Sequence, residues 1–446
     1  MVALIKTLQV ILALSLLIAL HELGHFTFAK LFGIRVDKFF LFFDAGGFKL
    51  FSTKESRWFT RLFPKAAGSE TEYGIGWLPL GGYCKICGMV DESMDMESLR
   101  REPQPYEFRT KPAWQRLLVM FGGVLFNFIS AIVFFSIILG INGQSYIANE
   151  GSCIYVNDLA YEMGFRTGDQ ILRFDDYVPE NFGMLQADLA RRGTRKATVL
   201  RGADTLDIWI DQSMIGEVLS SPGMFSLALP MVVDSVPEES LNASAGLVHG
   251  DRIIAVNGEC APYLQDSRAL LEACAGRDAE LTVVRCADTL AICAAVDSLG
   301  RIGIYTLLPG LRTKEYTILT AVPAGCRYTF TTIRDYIRDL RLVATPSTQA
   351  YKSVGSFIAI GQAFPSTWDW TEFFYLLGLL SVMLGVMNLI PIPGLDGGHI
   401  LFTLYEMVTG RKPSDRFMAA AQLVGMAILL GLMFLAFGND ISRLIK

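Results

Sequence analysis

The sequence predicts a polytopic α-helical membrane protein: four transmembrane helices, with two extracytoplasmic copies of one β-rich, α+β domain between the second and the third. Three observations predict it. With 52% hydrophobic and 19% charged residues and a mean hydropathy of +0.38, the chain is too apolar for an ordinary soluble protein and too mixed to lie wholly in a bilayer. Four apolar runs, ending near Ala29, Leu139, Ile390 and Phe437, suit membrane spans. A stretch also recurs, Ala197–Ile208 matching Leu281–Ile292 at eight of twelve positions, 84 residues apart.

The first segment, 1–32, carries a span from about Leu4 to Ala29 that runs straight into His21-Glu22-Leu23-Gly24-His25. It has only Lys6 ahead of its apolar core and no small-x-small cleavage site, so it reads as a retained helix rather than a signal peptide. HExxH on a helix sets two imidazoles on one face, where both can bind one Zn²⁺ while the glutamate reaches a metal-activated water. A histidine pair on a helix is often no more than two satisfied polar residues. Here the setting argues otherwise, because ionisable groups in hydrocarbon cost roughly 2.5–3.5 kcal/mol each and need compensation. From Thr7 to Leu20 the helix rises about 21 Å against a hydrocarbon core of about 30 Å, which puts the motif past the midplane. His249 and His399 are the only other histidines, too few for a His-rich di-metal site.

Residues 33–113 read as a cytoplasmic loop with membrane-associated β-hairpins, since Lys30, Arg35 and Lys38 lie just after the first span and Lys111 and Arg116 at the start of the next. Gly74–Ile86 mixes glycine, proline and β-formers, and Phe39–Phe43 is a second strand-like run. They are either core strands of a small domain or a re-entrant loop dipping toward the metal. Cys84 and Cys87 are half of a zinc ribbon without its second half and read as ordinary loop cysteines. The second span, 114–141, has Asn127, Ser130 and Ser136 as its polar side chains between Leu117 and Leu139. With Gly122 and Gly123 a turn before it, Asn127 marks either close helix packing with an interhelical hydrogen bond or a polar group facing the site.

The repeat divides the next region into 142–224 and 225–308, each with a Gly-x-x-x-Gly-Asp turn, Gly164–Asp169 and Gly246–Asp251, leading into a short strand. The pattern Ala245–Gly258 resembles the PDZ domains of bacterial proteases; in the first copy Asp175-Asp176 stands for Asn257-Gly258 and Met163 for Ala245. PDZ domains bind peptide ends by adding a strand to a sheet edge. The preferred reading is that these PDZ-like copies occlude the way to the membrane site. Cys153, Cys260, Cys274, Cys286, Cys293 and Cys326 could form bridges if this region is extracytoplasmic, and the sequence does not pair them.

Segment 309–371 contains an amphipathic helix from Arg327 to Val343, which lies on the outer leaflet or packs on a PDZ-like copy. The third span, 372–399, ends in Asn388-Leu389-Ile390-Pro391-Ile392-Pro393-Gly394-Leu395-Asp396-Gly397-Gly398-His399. Two prolines and three glycines break a helix at membrane depth where backbone lines a polar cavity. Asp396 is the carboxylate offered there, and a catalytic zinc wants three protein ligands and one open position, which His21, His25 and Asp396 fill. The last segment, 400–446, reads as a cytoplasmic loop with Arg411, Lys412 and Arg416, then the fourth span, Phe417–Phe437, with Gln422 its only strongly polar side chain.

This ordered set resembles the site-2 protease family of intramembrane zinc metalloproteases, in its bacterial RseP-type branch. The residues that carry the resemblance are HExxH, Leu78–Tyr83, Gly123 with Asn127, the tandem copies, and Asn388–Gly397 with its Leu-Asp-Gly core. Val124 departs from the family's usual proline, and Cys84–Gly88 from its usual continuation. The resemblance implies cleavage of single-span membrane proteins, an anti-sigma factor and remnant signal peptides, in a bacterial inner membrane. It implies both termini and the PDZ-like copies on the periplasmic side and the active site toward the cytoplasm. It also implies that Gly81, Gly82, Tyr83, Cys84 and Lys85 form a re-entrant β-hairpin and that Asn388 holds substrate extended, with Asn127 a further candidate for substrate binding.

One Zn²⁺ per chain would activate a water, with Glu22 as general base. A helical substrate hides its carbonyls in i to i−4 hydrogen bonds and must unwind to be cut. The alternative is a membrane-anchored PDZ scaffold or chaperone with a non-catalytic metal site, which predicts that Glu22→Gln leaves function intact. The net charge of −5 forms no basic stripe, so nucleic acid is not an expected partner.

Overall fold

The computed structural model describes residues 2–64, 68–79, 81–89, 102–221, 223–307, 310–348 and 350–445; Leu80 of the Leu78–Tyr83 motif lies outside them. The chain divides into two units, Met1–Gly143 with Glu315–Arg341 and Val354–Lys446, and Gln144–Lys314 with Leu342–Ser353.

The first unit is built on α1 (Val2–Leu31), α2 (Ala113–Asn142), α3 (Ile318–Ala344), α4 (Trp370–Leu389), α5 (Asp396–Thr409) and α6 (Asp415–Ile445). Among the described residues, four helices are long and apolar enough to cross a membrane, over Val2–Leu31, Ala113–Asn142, Trp370–Leu389 and Phe417–Ser442. They leave Leu4, Leu8, Leu12, Ile129, Val133 and Ile137 bare on their outer surface, a pattern that suits hydrocarbon and not water.

These helices approach closely where side chains vanish. A Cβ on Gly24 would overlap the carbonyl of Gly122, so α1 and α2 touch backbone to backbone. Gly378 and Gly385 of α4 do the same for the rings of Phe135 and Phe128, and Ser381 donates to the Asn127 carbonyl at 2.7 Å. Asp369 caps α4 through the N–H groups of Thr371 and Glu372. Arg116 at the start of α2 meets Glu406 near the end of α5 at 2.5 Å, both largely buried.

Between α1 and α2 the chain forms β1 (Val36–Leu41), β2 (Lys49–Ser52), β3 (Glu72–Gly76) and β4 (Tyr83–Ile86), in the order β2-β3-β1-β4. Short hairpins were expected here. Instead β1 pairs in parallel with β3 and antiparallel with β4, with Phe40 opposite Tyr83 and Lys38 opposite Lys85. Phe40 fixes this arrangement, being 1% exposed, with its ring close against Gly74 and stacked on Tyr83.

Two other expectations change. The amphipathic helix is not free on a leaflet: Tyr328, Ile333, Tyr336 and Leu340 of α3 pack on Ala131, Phe135, Val382 and Val386 of α2 and α4. The third span does not reach residue 399, since α4 stops at Leu389, the chain turns through Ile390–Leu395, and a new helix runs to Thr409 where a loop was expected. Gly410, at φ 69°, ends that helix.

The second unit contains the repeat, and its symmetry is visible atom by atom. Arg201 forks onto both oxygens of Asp169 and reaches the Gly164 carbonyl, while Arg285 does the same with Asp251 and the Gly246 carbonyl. Strand Gln170–Phe174 pairs with Lys196–Arg201 and that with Asp204–Trp209, as Arg252–Val256 pairs with Asp278–Arg285 and that with Asp288–Ala295. Asp175 at φ 49° occupies the same left-handed turn as Asn257 at φ 50°, which both residue types tolerate, so the Asp-for-Asn change costs the first copy little. Each copy has its own core, around Phe165, Ile171 and Leu185 in the first and Val233, Ile253 and Leu281 in the second. All eight cysteines are free thiols.

Candidate active site

α1 presents His21 and His25 from one face, 8% and 6% exposed. The imidazoles fit because residue 123 of α2 has no side chain: a Cβ there would lie 2.5 Å from Nε2 of His25 and 2.6 Å from Cε1 of His21. Nδ1 of His25 donates to the Val119 carbonyl at 2.9 Å, which leaves its Nε2 with a free lone pair. Nδ1 of His21 lies 3.0 Å from the amide of the buried Asn127, whose Oδ1 has no partner among the described residues. Turned over, that amide accepts from Nδ1–H of His21 and fixes the same tautomer.

Asp396 reaches these nitrogens from the first turn of α5, 371 residues beyond His25. Backbone crowding sets its position. Gly397 and Gly398 lie so close to Leu389, Ile390 and Pro393 that no side chain fits at either, and Gly394 turns at φ 107°. Nε2 of His21 and Nε2 of His25 are 3.2 Å apart, and Oδ2 of Asp396 stands 3.2 and 3.4 Å from them. Donors at about 2.0–2.1 Å from one centre in a tetrahedron are spaced by about 3.3 Å, so the three atoms fit three corners around zinc. Oδ2 of Asp396 is buried and, among the described residues, makes no hydrogen bond despite those neighbours. A cation at the centre removes the cost of that unpaired oxygen.

Glu22, Gly82, Tyr83, Cys84, Lys85 and Asn388 line one cavity of about 500 Å³ with the three ligand candidates. The Asn388 amide stands 3.3 Å from Nε2 of His21. β4 is the outer strand in the order of its sheet. The structure does not bring Asn127 into this cavity. Fully buried, it stands against His21, with its amide 3.0 Å from Nδ1. Gly81 is also outside the lining and packs on the Phe43 ring.

The sequence reading missed Lys38, Asp44, His399 and Gln422, which line the same cavity. The Tyr83 hydroxyl donates to Asp44 at 2.8 Å and Lys38 pairs with it at 3.0 Å. Burial pushes the Asp44 carboxyl up, and these two hydrogen bonds outweigh it and hold it below the usual carboxylate range. Only Gln422 carried a signal, as the lone strongly polar side chain of its span.

Comparison with known proteins agrees with the geometry. A regulator of sigma-E protease, RseP, of Escherichia coli (strain K12) is 27% identical over 463 residues, covering 97% of this chain and 98% of that protein. Protease RseP of Yersinia pestis is 28% identical over 461 residues, with 97% and 98% covered. A Xylella fastidiosa (strain Temecula1) protein whose name describes a zinc metalloprotease is 28% identical over 460 residues, 97% of either chain. The sequence model of peptidase family M50 matches residues 9–432, nearly the whole length, and the chain belongs to that family.

Proposed function

We propose that this chain is a zinc-dependent endopeptidase that hydrolyses a peptide bond inside the membrane-spanning segment of single-span proteins. The observation that supports this most is the tetrahedral spacing of His21, His25 and Asp396 on α1 and α5, opening on a cavity that also holds Glu22. His21, His25 and Asp396 would hold the zinc, which when bound activates a water and polarises the scissile carbonyl. Glu22 takes the proton of the attacking water and returns it to the departing amine. Asn388 offers its amide beside His21 to the unwound backbone. The strand from Gly82 to Lys85 pairs with that backbone, replacing hydrogen bonds lost when the substrate helix opens.

By likeness to relatives named as regulators of sigma-E, the substrates are of the anti-sigma factor class, with remnant signal peptides as a second group. The repeated domains act as PDZ-like modules, on the periplasmic side with both termini. The basic residues at 30–38, 111–116 and 411–416 mark the cytoplasmic side. Co-expression of a single-span reporter with wild type and with Glu22→Gln tests the reading. Wild type should cut the reporter and Glu22→Gln should leave it whole; equal processing by both refutes the assignment.

A further inference from the structure

Gln422 has no part in the chemistry above, and its surroundings assign it one. It is the single strongly polar side chain between Phe417 and Phe437, yet it is only 6% exposed. It opens on the same cavity as His21, Glu22, Asn388 and Asp396. Among the described residues nothing hydrogen-bonds its amide. Its place is set one turn further along α6, where Gly425 sits so tightly on the Pro393 carbonyl that no Cβ fits, which pins this face of the helix against the bend that carries Asp396. A partnerless amide at this depth does nothing for folding, and a leucine would pack better.

An unwound peptide is the complementary object, since each N–H and C=O group freed from its helix needs a partner. A carboxamide offers two donors and an acceptor, enough to pair with a whole peptide unit. We infer that Gln422 is a substrate-binding residue whose carboxamide takes up a backbone peptide unit of the extended segment from the α6 side, across from the β4 edge and Asn388. It reads backbone and not side chain, so it serves substrates of differing sequence. This rests on the peptidase reading above.

The test uses the full-length Glu22→Gln chain, zinc-loaded in detergent, with and without Gln422→Leu, and a fluorescently labelled single-span reporter. The change to leucine should weaken reporter binding roughly tenfold, as for the loss of a pair of hydrogen bonds. Zinc content should stay the same, and the melting temperature should hold or rise. In the Glu22 background Gln422→Leu should raise KM for the reporter by a similar factor. Unchanged affinity for a reporter that wild type cuts overturns the inference, and so does weaker binding that comes with lost zinc or a lowered melting temperature. A failure of the peptidase reading is separately visible, as a reporter that wild type leaves whole.

Discussion

Gly123→Ala is the smallest change that reaches the metal site without touching a ligand. The added methyl carbon would lie 2.5 Å from Nε2 of His25 and 2.6 Å from Cε1 of His21, whereas ordinary contact begins at 3.4 Å. The imidazoles must retreat by about 0.9 Å or the α1–α2 contact must open by as much. Neither is easy, because Gly24 and Gly122 already touch through their backbones. Ligand distances around a metal tolerate about ±0.2 Å, so the displacement exceeds the tolerance several-fold. The loss of zinc affinity should exceed the roughly 10- to 100-fold typical of a removed second-layer partner. Alanine is a better helix former than glycine by about 1 kcal/mol, so weakening of the helix itself cannot explain the loss. The assay is zinc content of the purified protein, with competition against a graded chelator. Wild-type zinc affinity in Gly123→Ala would refute the packing argument.

Other predictions follow from the same contacts. Asn127→Leu removes the partner of Nδ1 of His21 and should weaken zinc roughly 10- to 100-fold in the chelator assay, with Glu22 and all three ligands intact. Arg116→Leu leaves Glu406 without its cation and should cost about 3–5 kcal/mol in detergent unfolding, while the double change Arg116→Leu with Glu406→Leu recovers most of it. In the second copy of the repeat, the hydrogen bonds from Arg285, with one from the Val248 N–H, hold the Asp251 carboxyl below its usual range against the cost of burial. A carboxyl lowered on folding stabilises the fold above its unfolded pKa of about 4 and loses that contribution as pH falls through the folded value. Protection from amide exchange over residues 231–306, taken relative to the intrinsic rate at each pH, should therefore fall in acid. Asp251→Asn should flatten that dependence and cost about 1–3 kcal/mol, water around the 35% exposed Arg285 making up part of the loss.

What the sequence disclosed and what it hid divide along the range of the interactions. HExxH is legible because its spacing is local and the helix repeat dictates where the imidazoles point. Asp396 is legible because prolines and glycines in an apolar run make sense only around a polar cavity. The β1–β3 and β1–β4 pairings are not local, and nothing in Phe39–Phe43 names its partners, so a mixed sheet replaced the expected hairpins. α5 read as a loop because its start coincides with Gly397 and Gly398, which serve close backbone packing and not a turn. Asn127 was read two ways, as packing and as facing the site, because its polarity does not say which neighbour it meets. It lies at the close α1–α2 contact and supports His21 from behind. Lys38 and Asp44 carry no pattern at all, since what makes them part of the cavity is the fold of the sheet.

The account stands on the claim that the pocket joining α1 and α5 cuts peptide bonds within a membrane span. Mass analysis of the products from a purified single-span reporter, incubated in detergent with zinc-loaded wild type and with zinc-loaded Glu22→Gln, tests it most directly. Two fragments whose junction falls inside the apolar segment, formed by wild type and absent with Glu22→Gln at equal zinc content, are the predicted result. A junction outside the span, or the same fragments from both proteins, would contradict it.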